Sequence, residues 1–224
     1  MTPLPDPNRD LLISYITLRR LVGVLGMALP VLLLFGSMII GDCDGPQRSI
    51  SYCYHTRVGN LFVGLLCAIC LFLFIYKGRR PIDGILANVA GILGSLVALI
   101  PCELQETPDG SCIVARGITP SHLQGTVHNI IAGLFLLTLA YFSIAIFTRV
   151  DKPLPPNTRK PTRNVIYRIC GWIMVACVIL CALVIKFEPE GIMKLKPIFF
   201  LETAALWAFG FSWLVKGETL WRDR

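Results

Sequence analysis

The side chains best suited to metal or proton chemistry are three histidines and one glutamate near the ends of apolar segments. His55 precedes one apolar segment, His122 and His128 lie at the start of another, and Glu202 lies early in the last. An ionisable residue within an apolar span is rare and usually faces a cavity or a partner. Imidazole nitrogens and carboxylate oxygens bind zinc, and zinc with an open position activates water. These residues predict a hydrolytic zinc site, with the three histidines as ligands and Glu202 as ligand or general base.

A serine accompanies the first of these histidines. Ser51 lies four residues before His55, so the two side chains would share one face of an α-helix. The hydroxyl could donate to a developing oxyanion or hold a metal ligand in place. Ser51 is therefore the second candidate catalytic residue, beside Glu202.

Two other interpretations of the same residues are open. Glu202 and His128 could form a proton-accepting pair in a transporter or pH sensor, because histidine titrates near neutral pH. The residues could also be structural: His55 would anchor a helix end, His128 would pair with a loop carbonyl, and Glu202 would neutralise Arg57 or hydrogen-bond across the bundle. The chain has no His-x-x-x-His pair on one helix, which would be a standard zinc motif.

Four of the nine cysteines fall in the two longer loops between predicted spans: Cys43, Cys53, Cys102 and Cys112. An even number of cysteines on an oxidising side of a membrane predicts two disulfides. Three pairings are open. Pairing Cys43 with Cys53 and Cys102 with Cys112 is the simplest, whereas a cross-loop pairing would tie the second and fourth helices together. The five cysteines inside the spans are predicted to be small packing residues.

The stretch Ser51-Tyr52-Cys53-Tyr54-His55-Thr56 resembles the Ser-x-x-x-His element of a superfamily of membrane hydrolases and receptors. That superfamily includes the alkaline ceramidases and the progestin–adipoQ receptors. The resemblance implies a zinc ion held by three histidines, a nearby serine, and hydrolysis of lipid amide bonds, and it carries over to Ser51 and His55. The superfamily has seven spans and a late His-x-x-x-His pair, which differ from this chain. The wider pattern around Phe62–Cys67 and Arg163–Arg168 more closely resembles a group of small, uncharacterised multi-span membrane proteins, mostly bacterial.

Apolar segments must position these residues. The chain has 224 residues, of which 54% are hydrophobic and 16% charged, with a mean hydropathy of +0.66. This composition excludes a soluble globular enzyme, a disordered chain and a coiled coil. Six segments have about the length of a membrane-crossing helix: 21–40, 60–76, 84–101, 126–147, 166–185 and 197–215. The predicted fold is therefore all-α, a six-helix transmembrane bundle forming one integral membrane domain over residues 1–224. Small residues along the third span, such as Gly84 and Gly91, predict a central position for that helix.

The distribution of Lys and Arg predicts orientation. Fifteen of the 21 basic residues fall on the side that carries both termini, so both termini are expected to be cytoplasmic. The same bias explains the net charge of +7 without a nucleic-acid partner. The proline-rich, basic segment 148–164 is predicted to be a cytoplasmic linker that can touch anionic headgroups. The expected location is the cell membrane, a bacterial inner membrane rather than a eukaryotic one.

The sequence thus predicts a multi-pass membrane protein with a polar, zinc-binding site at the outer leaflet. Its partners would be membrane lipids, and its substrate a lipid or amphiphile hydrolysed after it enters from the membrane. The alternative is a non-enzymatic protein, namely a small transporter, a pH sensor or an assembly partner that uses a His/Glu pair. The oligomeric state stays open at this point.

Overall fold

A computed structural model describes residues 7–78, 80–104, 112–114, 120–150, 158–188 and 190–220. These ranges are built from helices, with an isolated antiparallel bridge joining Thr56 to Ile113. The predicted all-α class is confirmed. In chain order the elements are α1 (Pro7–Ile39), a short 3-10 helix (Ser51–His55), α2 (Gly59–Ile75), α3 (Pro81–Leu99), α4 (His122–Tyr141) continued by a π-helical turn (Phe142–Ile146), α5 (Lys160–Phe187), α6 (Glu190–Met193) and α7 (Pro197–Lys216).

Five of the described helices are long and apolar enough to cross a membrane, which is the architecture of a multi-pass membrane protein. They cover Tyr15–Ile39 of α1, all of α3, α4 with its π-helical turn, α5 and α7. The remaining predicted span corresponds to α2, which is apolar but has only 17 residues. At 1.5 Å per residue α2 is roughly 25 Å long, somewhat less than a hydrocarbon core of about 30 Å.

Two helices begin six or more residues earlier than predicted. Helix α1 begins at Pro7, well before residue 21, and α5 begins at Lys160, before residue 166. Hydropathy marks only the apolar part of a helix, whereas proline in the first turn favours helix initiation in polar sequence. Part of the predicted linker 148–164 is therefore helix, and residues 151–157 lie outside the described ranges.

The most buried membrane-spanning helix is α7, not the third span as predicted. The most apolar stretch of α7 is 56% buried inside the protein, compared with 39% for α3. Helix α7 packs against both α1 and α5. A Cβ added to Gly210 would lie 2.6 Å from the backbone oxygen of Gly23, so glycine allows α1 and α7 to approach closely. The small residues of α3 serve its contacts with α2 and α4 instead, where Gly91 meets Phe74.

One end of the bundle, which we call the disulfide end, is closed by the connections that carry Ser51 and His55 and that follow α3. Cys43 forms a disulfide with Cys112, so the local pairing of Cys43 with Cys53 is wrong. The reason is that residues 112–114 run beside the short 3-10 helix. The backbone N–H of Val114 donates to the His55 carbonyl over 2.8 Å, next to the Thr56–Ile113 bridge. We call the opposite end, where the Arg20 side chain of α1 donates to the Gly217 carbonyl after α7, the terminal end.

Candidate functional site

The three histidine side chains all contact one short stretch of the chain, residues 100–103. His128 Nδ1 lies 2.6 Å from the Ile100 carbonyl oxygen, and His55 Nε2 lies 2.8 Å from that of Cys102. His122 Nδ1 lies 3.1 Å from a carboxylate oxygen of Glu103. Thus all three rings hold residues 100–103, the segment that follows α3. The prediction that His128 pairs with a loop carbonyl is confirmed.

These contacts determine which nitrogen of each buried ring carries hydrogen. A carbonyl oxygen can only accept, so His128 Nδ1 and His55 Nε2 must be the donors. Both side chains are almost fully buried, at 2% and 3% exposure. The other ring nitrogen of His128, Nε2, is buried and has no hydrogen-bond partner within the described part of the chain. His128 therefore holds a lone pair at Nε2 inside the protein.

Glu202, on α7, accepts hydrogen bonds across the bundle from the start of the short 3-10 helix. Its Oε2 accepts a hydrogen bond of 2.6 Å from the Ile50 backbone N–H, and the carboxylate also accepts from the Ser51 backbone N–H. The short helix has no capping bond from the side chain at its own start, so Glu202 supplies the acceptor that its first amides need. The predicted structural role as a hydrogen bond across the bundle is confirmed. The alternative partner Arg57 instead forms an ion pair with Asp42.

Ser51 and His55 do not share a face as predicted, because they lie on a 3-10 helix and not on an α-helix. In a 3-10 helix residues three apart are aligned, so residues four apart are turned by about a third of a turn. Ser51 is buried. Its backbone N–H donates a hydrogen bond to the Glu202 carboxylate, so the contact between the two residues does not use the Ser51 hydroxyl. The short helix is thus anchored at Ser51 by α7 and at His55 by the Cys102 carbonyl.

Packing between α4 and the histidine-bound segment is close. A Cβ on Gly125, in the first turn of α4, would lie 2.5 Å from the Cβ of Glu103 and 3.0 Å from its backbone nitrogen. The turn itself is stabilised by a capping box, in which Ser121 and Gln124 exchange backbone and side-chain hydrogen bonds. This arrangement positions His122 and His128 over residues 100–103.

A cleft of about 920 Å³ opens between α4, α5 and α7 beside these residues. Ile130, Leu134 and Leu137 line it and are 58%, 49% and 39% exposed, so the cleft opens on the face of the bundle that would meet lipid. Its polar end is charged, and the charged lining residues are Arg48, Glu103, His122, Lys186, Glu188 and Glu202. The cleft is therefore amphipathic along its length.

The charges at the polar end are partly paired. Glu103 meets His122, Glu202 meets backbone amides, and Arg48 lies 3.7 Å from the exposed carboxylate of Glu188. Within the described residues, the Lys186 ammonium contacts the Phe187 ring, 5.6 Å from the ring centroid. Of the described charged residues that line the cleft, Arg48 and Lys186 keep the capacity for a further strong partner. The sequence analysis used these two residues only to predict membrane orientation. Their position at span ends, on the same side as the histidines, could have indicated that they belong to the candidate site.

Cys53 and Cys102, predicted to join a second disulfide, are buried free thiols in the structure. The two thiols lie near one another, since after burial and the charge of Glu202 the Cys102 thiol also raises the pKa of the Cys53 thiol. Burial raises the pKa of the Cys53 thiol to about 12, and it raises the pKa of the Cys102 thiol to about 12 as well. Both thiols are therefore protonated at neutral pH and poor nucleophiles.

The donor set does not fit the zinc site that the superfamily resemblance implies. Within the described ranges, no group of three or more His, Cys, Asp or Glu side chains is arranged to hold a metal ion. The ring nitrogens of His55 and His128 that carry hydrogen face carbonyl oxygens, and Glu202 faces amides. Among the described atoms of His55, His128 and Glu202, His128 Nε2 is a buried ligand atom without another partner.

Comparison with known proteins adds no family assignment. No protein-family model, curated protein or solved structure matches the chain.

Proposed function

We propose that this membrane protein binds an amphiphile with an acidic headgroup, a long-chain carboxylate in the first instance, in the cleft between α4, α5 and α7. The carrying observation is the cleft itself, whose apolar walls open toward lipid and whose polar end presents Arg48 and Lys186. Ligand sites of this size are concave and mostly apolar, with a few polar groups that fix orientation. The function is non-enzymatic binding, as in a small transporter or a carrier.

The position of the cations supports an acidic headgroup. The carboxylates of Glu103 and Glu202 already accept hydrogen bonds. The Arg48 guanidinium has a carboxylate partner at the long distance of 3.7 Å, and the Lys186 ammonium contacts an aromatic ring. A carboxylate can accept two parallel hydrogen bonds from a guanidinium, which is stronger than a long contact to an exposed glutamate. The acyl chain would then lie along α4 and α5, against Leu137 and Val178.

A pair of glycine variants tests the site. Gly133 lines the cleft, and a Cβ there would meet only Val178, at 3.8 Å. Gly64 on α2 also has open space beside it but lies away from the cleft. Gly133→Leu should fill the cleft and weaken binding of a radiolabelled fatty acid about tenfold or more, whereas Gly64→Leu should leave it unchanged. Equal binding by both variants and the parent protein would contradict the proposal.

One observation favours a second candidate, a hydrolase of lipids or amphiphiles. The described residues do not form the three-ligand zinc site, so any metal in this candidate would be bound through His128 and not through His55 or Glu202. His128 Nε2 is a buried lone pair without a partner in the described residues, which is what a metal ligand or a general base needs. The test is elemental analysis of protein purified without chelators, beside His128→Ala. About one zinc per chain, lost in the variant, would support the hydrolase. Metal-free protein that still binds the fatty acid would support binding alone.

A further inference from the structure

Beyond its charged polar end, the cleft is also lined by the carboxamide of Asn129, on the membrane-spanning helix α4. Asn129 is exposed, and it lines the cleft together with Thr126 and Gly133 of the same helix. The Thr126 hydroxyl is already used within the helix, since it donates to the His122 carbonyl over 3.0 Å. Asn129 therefore presents an amide to the cleft beyond the charged residues.

This amide has no hydrogen-bond partner in the part of the chain that the structure describes. A carboxamide carries two N–H donors and an oxygen acceptor. Asn129 also lies within the apolar stretch His122–Ile146, which is long enough to cross a membrane. Polar side chains in such a stretch are costly unless they face a cavity or a partner. Because the cleft is the cavity that Asn129 faces, we expect the partner to be a molecule bound there.

A contact between α4 and α5 gives the depth of the amide in the cleft. A Cβ on Gly133 would lie 3.8 Å from Cγ1 of Val178, so these two residues are at the same level of the bundle. Asn129 lies four residues from Gly133 toward the disulfide end, which is about 6 Å along α4. Lys186 lies eight residues from Val178 toward the same end, which is about 12 Å along α5. The backbone of Asn129 is therefore about 6 Å deeper in the cleft than the backbone of Lys186.

We infer that the amphiphile bound in the cleft is a long-chain hydroxy acid whose hydroxyl is close to its carboxylate, as in a β-hydroxy fatty acid. The inference rests on the proposed function and specifies the ligand of the same site. With the carboxylate at Arg48 and Lys186, a hydroxyl on the β-carbon lies near the level of Asn129. Hydrogen bonds of about 3 Å at each group span the remaining distance.

The chemistry of the two groups is complementary. A hydroxyl donates one hydrogen bond and accepts others, so it can donate to the amide oxygen of Asn129 and accept from its N–H. An unsubstituted fatty acid would place methylene groups against the amide and leave it without a partner, which costs free energy when water is excluded. Polar groups of this kind fix the orientation and the specificity of ligands in apolar sites.

Displacement of a radiolabelled fatty acid from the full-length protein in detergent tests the inference. The competitors would be three acids of equal chain length: the β-hydroxy acid, the unsubstituted acid, and the ω-hydroxy acid, whose hydroxyl is at the far end of the chain. Asn129→Leu removes the amide with little change of volume. Asn88→Leu is the matched control, because Asn88 is an exposed asparagine on the membrane-spanning helix α3 and does not line the cleft.

We expect the parent protein to bind the β-hydroxy acid about fivefold more tightly than the other two acids, as one or two neutral hydrogen bonds would provide. Asn129→Leu should abolish this preference by weakening the binding of the β-hydroxy acid alone. The unsubstituted acid should bind equally to both proteins, since it makes no hydrogen bond to the amide. Asn88→Leu should keep the preference.

Equal binding of the three acids by the parent protein would overturn this inference and leave the proposed function intact. A preference for the β-hydroxy acid that survives in Asn129→Leu, or that is lost equally in Asn88→Leu, would also overturn it. If the parent protein binds none of the acids, the proposed function fails and this inference fails with it. The comparison of acids on the parent protein needs no variant, so it holds even if Asn129→Leu does not fold.

Discussion

At the residue scale, histidine and glutamate side chains hydrogen-bond to backbone N–H and C=O groups that have no partner within a helix. Residues 100–103 are held by His55, His122 and His128. The Glu202 carboxylate accepts hydrogen bonds from the first backbone amides of the short 3-10 helix. Backbone polar groups at such ends must be satisfied by side chains or water, which explains why ionisable residues lie near the ends of apolar spans. This role accounts for Glu202 without a catalytic function.

Glu202 variants should separate capping from catalysis. Glu202→Gln keeps an oxygen that can accept from the Ile50 amide, whereas Glu202→Ala leaves that amide without its acceptor. We expect Glu202→Ala to lower the free energy of unfolding by about 1–3 kcal/mol and Glu202→Gln to cost less. Thermal unfolding in detergent measures both. Equal loss of stability by the two variants would show that the carboxylate charge, not the acceptor, matters.

The buried thiols give a pH-dependent prediction. With thiol pKa values of about 12, Cys53 and Cys102 are protonated at pH 8, and roughly one molecule in 10⁴ carries the reactive thiolate. A raised pKa keeps the neutral form up to higher pH, so alkylation should be slow at pH 8 and should accelerate as the pH rises toward 12. Mass spectrometry of native protein treated with iodoacetamide follows the reaction. Denatured protein is the control, and rapid labelling of the native thiols at pH 8 would be the opposite result.

At the element scale, the bundle depends on the close approach of α1 and α7. Gly210→Ala would place a Cβ 2.6 Å from the backbone oxygen of Gly23. This clash could be relieved only by moving the backbone of one of the two helices. We expect a loss of about 1–3 kcal/mol in the free energy of unfolding, as for other overpacked contacts. Gly64→Ala, with open space around it, should be neutral or slightly stabilising because alanine favours helix. Equal melting temperatures for the two variants would contradict this description of the contact.

Helices were the part of the fold that sequence could predict. Runs of apolar residues locate α2, α3 and α7 within three residues at each end, because burial in lipid requires continuous hydrophobicity. The polar first turns of α1 and α5 were missed, since hydropathy does not register them. The central position of α7 was missed too, because which helix is enclosed depends on contacts between distant glycines, here Gly23 and Gly210.

For the candidate site, the sequence predicted where the residues lie but not which atoms they contact. Sequence placed the histidines, Glu202 and Ser51 near one end of the bundle, and the structure brings them around the short 3-10 helix and residues 100–103 at that end. Their ring and carboxylate atoms turn toward backbone groups, and composition cannot specify that choice. The Cys43–Cys112 bond was among the pairings left open, and sequence could not select it because it depends on residues 112–114 running beside the 3-10 helix.

At the scale of the whole molecule, the two ends differ in chemistry. The disulfide end holds the Cys43–Cys112 bond, and the terminal end meets the larger share of basic residues. Positive residues favour the cytoplasmic side, so both termini are predicted to be cytoplasmic. A reporter active only in the cytoplasm, fused to the C-terminus, should be active, and one active only outside should not. The reverse pattern would place the disulfide in the reducing compartment and overturn the assignment.

The cleft for an acidic amphiphile is the central claim, and a photoreactive long-chain carboxylate tests it most directly. After illumination of the protein in a membrane, the labelled residues would be located by mass spectrometry. Our account predicts labels concentrated on α4, α5 and α7 around Leu137, Val178 and Leu201, and removed by excess unmodified fatty acid. Labels spread equally over lipid-exposed residues elsewhere, such as Leu71 of α2, and resistant to competition would contradict it.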